Sequence, residues 1–299
     1  MPFQIEQTPV PLPSTVSSAP LILPATVPRG TRLLFIDNLR VLLICMVVVQ
    51  HLAVTYGATG FWYYRDPATD QFTAAFLTIW DGVGQAAGMG FFFLISASFT
   101  PGSYDRKGAG PFLRDRLIRL GIPLLLYDLL LDPLVVYLAS GLPGSYWSFY
   151  GGYLLQVRGV TGPVWFIAVL FLFMLLYAAL RTLARSRPLV DGKPGGLPGS
   201  PAIAGFILAL GLASFVVRIW WPVSLVFQPL NLSVGYLPQY LSFYILGLVV
   251  ARRNWFFALT PRMGKDWSLA ALLASLAFAG RVIPNLLVHN HATFSGMVR

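Results

Sequence analysis

Seven runs of mostly apolar residues alternate with polar stretches, at roughly 39–56, 79–99, 118–138, 163–183, 202–221, 235–251 and 269–288. Crossing a hydrocarbon core takes about 20 apolar residues, with a range of about 17–25. Each run therefore predicts a transmembrane helix. The second contains Gly82, Gly84, Gly88 and Gly90. Glycine lets membrane helices approach closely, which predicts a central place for that helix. No internal repeat stands out. Ahead of the first run, residues 1–30 carry prolines at 2, 9, 11, 13, 20, 24 and 28, a density that forbids regular helix. They read as a disordered tail, without the basic start of a secretory signal. The expected organisation is thus a Pro-rich tail over 1–30 and one all-α, polytopic helical bundle over 31–299.

The polar stretches set an orientation. Sixteen of the 21 lysines and arginines fall on the side that holds the N-terminus, from Arg29 to Lys265. The other five are Arg65, Arg158, Arg218, Arg281 and Arg299. Positive residues stay cytoplasmic, so the N-terminus is expected inside and the protein in the cytoplasmic (inner) membrane. Composition agrees. The apolar fraction is 56% and the charged fraction 11%, against about 25% charged for a soluble domain; mean hydropathy is +0.69. The net charge of +10 does not indicate nucleic acid, because the cations sit between spans instead of forming one stripe. The single cysteine, Cys45, reads as a small lipid- or core-facing side chain. It leaves no cysteine-built zinc site, and no metal is expected.

Charged and imidazole groups inside a membrane helix are costly. The first helix carries Arg40 and, eleven residues on, His51. Eleven steps of 100° bring them to one face, about 16 Å apart along the axis. Asp37, three residues before Arg40, can pair with it. Arg40 reads either as a snorkelling, topology-setting arginine or as a ligand cation. His51 reads either as a polar bridge between helices or as a general base. A second cluster holds Arg114, Asp115, Arg116 and Arg119, ahead of Pro123. Arg116 and Arg119 are expected to share a face. Arginines at a helix start oppose the macrodipole, which suggests either an anionic ligand such as phosphate or ordinary headgroup contact. Asp128 and Asp132 are expected to pair with arginines of other helices. Trp220, Trp221 and Trp147 lie near span ends, where aromatic belts form.

These motifs resemble the membrane acyltransferase-3 family. The resemblance covers about residues 32–260. It rests on Phe35-Ile36-Asp37-Asn38-Leu39-Arg40, on Arg40 and His51 with ten residues between them, and on Phe92-Phe93-Leu94-Ile95-Ser96-Ala97-Ser98-Phe99. It rests further on Arg116 and Arg119 before Pro123, and on Trp165-Phe166-Ile167. Ala97 stands where the family often has glycine. The runs Ser103-Tyr104-Asp105-Arg106-Lys107-Gly108 and Pro123-Leu124-Leu125-Leu126-Tyr127 look closest to the glucan-modifying branch. Family members usually have about ten spans, so a C-terminally incomplete domain is expected.

The resemblance implies an enzyme that moves an acyl group from a cytoplasmic acyl-CoA-type donor to a hydroxyl of an extracytoplasmic carbohydrate. The acceptor would be a surface glycan or a lipid-linked carbohydrate. His51 would be the general base, and Arg40, Arg116 and Arg119 the donor-binding cations. Asp37 would support Arg40, while Ser96, Ser98 or Trp165 would serve the oxyanion. Acyl-CoA enters as co-substrate, and no resident cofactor is expected. Membrane lipids are partners; nucleic acid is not. Two other readings stand beside this one. One is a transporter or flippase for an anionic or glycan-linked substrate, with His51, Arg218 and Arg281 lining its path. The other is an inactive, truncated relative acting as a membrane partner.

Overall fold

The computed structural model of the protein describes residues 34–60, 62–66, 70–155, 162–184, 195–227 and 232–288, excluding the side chains of 285–288. The expected tail over 1–30 lies outside the described residues. The described chain is an all-α, polytopic membrane protein whose seven long apolar helices match the seven expected spans. Helix α1 is Leu34–Thr55, and α2 (Gln71–Ser98) continues through α3 (Thr100–Lys107). The third span runs from α4 (Ala109–Arg116) through α5 (Ile122–Leu126) to α6 (Asp132–Ala139). A short α7 (Tyr146–Leu155) precedes α8 (Trp165–Leu183) and α9 (Ser200–Trp220). A two-residue hairpin, β1 (Val226–Phe227) and β2 (Leu232–Ser233), leads to α10 (Leu237–Arg253), and α11 is Pro261–Val288.

Helix α2 is the hub, for the reason its glycines suggest. A Cβ on Gly82 would meet Phe278 of α11 at 2.8 Å, and one on Gly84 would meet Gln50 of α1 at 2.7 Å. Gly88 faces Met46 of α1, and Gly90 faces Gln239 and Phe243 of α10. One helix thus seats three neighbours on four missing side chains. In lipid this close packing, and not escape from water, holds helices together. Helix α1 answers with Ile36, Leu43 and Gln50, buried at seven-residue spacing, while Val41, Leu42, Ile44 and Val48 remain exposed, as lipid permits. Cys45 is exposed too. Between α2, α8 and α10 lies an aromatic core in which Phe93 touches Phe166, Phe173 and Tyr240 at 4.8, 5.4 and 5.0 Å. Ala97 is fully buried there, opposite Gly247 of α10. The glycine that the family often has on α2 is matched here by a glycine on the facing helix. Helix α9 buries no residue and lies at the periphery.

Two departures from the sequence expectation bear on function. The third span begins at Ala109, not near 118. Gly108 turns the chain from α3 into α4 at φ 74°, a left-handed conformation that favours glycine. Arg114 and Arg116 therefore occupy the last turn of α4, and the argument from a helix start no longer applies to them. The span also contains two π-turns, Leu117–Gly121 and Tyr127–Leu131, each ending two residues before a proline, Pro123 and Pro133. Proline lacks an N–H and clashes with the carbonyl four residues back; a widened turn relieves both.

At 1.5 Å per residue, α2 with α3 extends about 55 Å and the third span about 46 Å, beyond the roughly 30 Å hydrocarbon core. Their shared end, α3–Gly108–α4, therefore projects past the apolar slab. It joins the N-terminus of α1 and the C-termini of α8 and α10 in what is called here the basic end.

Candidate active site

At the end of the bundle away from the basic end, His51 is half-buried on α1. Its Nδ1 lies 2.8 Å from the carbonyl oxygen of Val47, one turn back. A carbonyl only accepts, so Nδ1 carries the proton and Nε2 keeps a lone pair. The ring packs against Trp62 at 4.1 Å between centroids, in the segment after α1. By helix steps of 100°, Arg40, Val47 and His51 fall within about 40° of one another. Val47 packs against the cluster of Phe93, Trp165 and Phe166, so this stripe faces the bundle interior. At its basic end Arg40 pairs with Asp37 at 3.4 Å and lies over Phe99, 4.4 Å from the ring centroid.

The other expected residues divide. Trp165 opens α8 and joins the central core against Tyr240 at 5.4 Å. Ser96 lies far from His51. Gln50 and Met46 face Gly84 and Gly88, so His51 is level with residue 83, and Ser96 sits about 20 Å further towards the basic end. Ser98 spends its hydroxyl on the carbonyl of Ile95 at 2.7 Å. Arg116 and Arg119 do not share a face. Arg116 is half-buried beside Phe112, whereas Arg119 is 67% exposed and bonded to Asp115 at 3.0 Å. The π-turn that starts at Leu117 separates them by rotating the residues after it.

Sequence reasoning missed a polar belt at the level of His51. Gln50 donates to the Asp81 carbonyl at 3.2 Å, Gln85 to the Tyr240 hydroxyl at 3.3 Å, and Gln239 to the Ala86 carbonyl at 2.7 Å. These amides satisfy backbone and phenol groups where water is absent. Arg218 donates to the Gly235 carbonyl at 3.1 Å and lies over Tyr236, tying α9 to the start of α10. Asp132 is fully buried and accepts the hydroxyls of Tyr63 and Tyr153. Tyr63 follows Trp62 directly, so the segment over His51 is anchored to α6. The apolar groove on the outside of α1 and α2, lined by Val49, Leu52, Phe76 and Trp80, does not include His51.

Missed as well was an ion cluster at the basic end. Arg181 on α8 and Arg252 on α10 take one carboxylate oxygen each of Asp105, at 2.9 and 2.5 Å. Arg181 also donates to Tyr177 at 2.8 Å. Both arginines had counted only as topology-setting charge. The one signal was position, since Arg181 interrupts the apolar run Ala179-Leu180-Arg181-Thr182-Leu183.

No curated protein and no solved structure matches the chain. A family model does: the acyltransferase domain of the acyltransferase-3 family matches residues 33–297, a stretch that takes in α1 with Arg40 and His51, both π-turns and the whole described bundle. The chain therefore belongs to the acyltransferase-3 family and is a membrane acyltransferase.

Proposed function

We propose that the protein transfers an acyl group from an acyl-CoA-type donor, held at the basic end, to a hydroxyl of a carbohydrate that arrives from the opposite side. The acceptor is a surface glycan or a lipid-linked carbohydrate. The observation that carries this reading is the 2.8 Å contact of His51 Nδ1 with the Val47 carbonyl oxygen; in the neutral ring, Nδ1 then donates and Nε2 is left as the base. That nitrogen takes the proton of the acceptor hydroxyl. The oxygen attacks the thioester carbonyl, the C–S bond breaks, and the imidazolium returns the proton to the departing thiolate. Histidine ends neutral, and the products are an ester and a thiol. Arg40, about 16 Å from the base along α1, and Arg116 supply positive charge for the donor's phosphates, with Arg119 on the exposed side. Trp165 stands in the packed core between the two ends, and Ser96 serves the donor end instead of the oxyanion.

The excess of cations at the basic end supports its placement in the cytoplasm and the protein in the inner membrane. Arg218 has a structural task in tying α9 to α10, and Arg281 lies on the exposed face of α11. A transport path through both finds no support.

The test is His51→Ala in cells, with membrane insertion verified and ester-linked acyl groups on surface glycans measured by mass spectrometry. Loss of a general base typically costs about 10²–10⁴-fold. Undiminished acylation would remove His51 from the mechanism.

A further inference from the structure

The basic end carries more positive charge indoors than its carboxylates balance. Arg181 is 3% exposed and Arg252 17%, and both converge on one acid, Asp105, which is 34% exposed. Tyr177 donates no charge but bonds Arg181 and faces Arg252. Tyr244, beside Tyr177, faces Arg116 on the other flank. Three guanidiniums from three helices thus lie around two phenols, with Asp105 between Arg181 and Arg252 and Asp115 beside Arg116. Burying a guanidinium is costly unless charge and N–H groups are matched. Here Nε of Arg116 and Nη2 of Arg252 are buried with no hydrogen-bond partner, although a guanidinium has five N–H groups to satisfy. One carboxylate takes only part of the five N–H groups of a guanidinium, and the remaining buried donors call for further acceptors.

We infer that Arg252, Arg181 and Arg116 form a cross-helix seat for a phosphate group, in which the carboxylate of Asp105 stands in for the anion. Phosphate has more acceptor oxygens and more charge than a carboxylate, and arginine's planar fork matches it in bidentate fashion. The seat opens on the side of Asp105, the most exposed member, at the projecting α3–α4 end. This rests on the reading of the basic end as the donor side. It moves the centre of phosphate binding from the Arg116–Arg119 pair on one span to the helix junction. A phospholipid headgroup offers the same chemistry as the donor's phosphates.

The experiment uses the full chain in nanodiscs. In phosphatidylcholine discs, coenzyme A affinity is measured for wild type, Arg252→Gln and Asp105→Asn. In discs containing phosphatidylglycerol, lipid retained by the protein is counted by native mass spectrometry. Melting temperature is recorded for each. The inference expects Arg252→Gln to weaken coenzyme A by roughly tenfold, the size of one lost charge-assisted bond. It expects Asp105→Asn to tighten it severalfold by removing the competing anion. If retained phosphatidylglycerol follows that pattern and coenzyme A does not, the seat stands and its phosphate is a lipid's. A structural role predicts instead that both variants melt lower and neither binds tighter. That result overturns the seat, as does unchanged binding of both ligands in both variants. Failure of the donor reading looks different: wild type then binds no coenzyme A, while the lipid arm remains readable.

Discussion

The two ends of the bundle surround their carboxylates with different groups. At the basic end Asp105 is outnumbered by arginines, and buried N–H donors on Arg116 and Arg252 go unused. At the other end Asp132 is fully buried and is met by the hydroxyls of Tyr63 and Tyr153, with Tyr127 beside Tyr63 at 3.3 Å. One end exposes surplus positive charge to whatever anion reaches it. The other gathers tyrosine hydroxyls and aromatic rings around its carboxylate, groups that suit a polyol. An acyl transfer with an anionic donor and a carbohydrate acceptor needs that asymmetry. A carrier that passes one substrate from end to end has no evident use for it.

The largest expected effect comes from breaking the end that holds His51. Asp132→Leu removes the carboxylate that accepts the Tyr63 and Tyr153 hydroxyls, and a buried donor left unsatisfied costs about 1–3 kcal/mol. The melting temperature in nanodiscs should fall by several degrees and acyl transfer should collapse. Coenzyme A affinity, set at the far end, should stay within twofold of wild type. A matching loss of coenzyme A binding would show that the ends are not separable.

Next in size is Trp62→Ala. The ring packs on His51, and an aromatic pair is worth about 0.5–1.5 kcal/mol beyond its area. Without it the imidazole loses a wall, and acyl transfer should drop roughly three- to tenfold while the protein melts near its normal temperature. Trp62→Phe should restore most of the rate. Equal rates for the two variants would deny Trp62 any part in positioning His51.

The comparison also shows where sequence reading ran out. The seven spans were legible because apolar length alone decides what crosses a bilayer, and the Arg40–His51 stripe because helix geometry is local. The gathering of Arg181, Arg252 and Asp105 was not, since each stands on a different helix and nothing in one helix names its neighbour. The start of α4 was hidden because Ala109–Arg116 is amphipathic and lies outside the apolar slab. The separation of Arg116 from Arg119 was hidden by a π-turn that the three-residue spacing does not announce. Helix α7 escaped because ten residues rich in aromatics, with Tyr146, Trp147 and Tyr150, read as an interfacial belt, not as a helix.

A smaller effect separates Arg116 from Arg119. Each single alanine variant removes one cation, but only Arg116 points into the bundle. Arg116→Ala should weaken coenzyme A about tenfold. Arg119→Ala should change it less than twofold, because an exposed ion pair contributes about 0–1 kcal/mol and is screened by salt. Isothermal titration at two salt concentrations reads both. Equal losses would return the donor site to the single-span arrangement that the sequence alone suggested.

The smallest effect concerns an exposed carboxylate at the His51 end. Asp70 caps α2, accepting the Thr73 N–H at 2.7 Å. That hydrogen bond holds its carboxyl below the usual carboxylate range. A depressed folded-state value means that the cap's contribution is present above the unfolded value near pH 4. It is lost as pH falls through the lowered one. Melting temperature should therefore slope slightly downward below about pH 4. Asp70→Asn, whose amide oxygen still caps the helix, should match wild type at pH 7 and lose that part of the slope. Asp132, buried at the same end, is untouched by this exchange. If Asp70→Asn leaves the acid slope unchanged, the α2 cap does not set it.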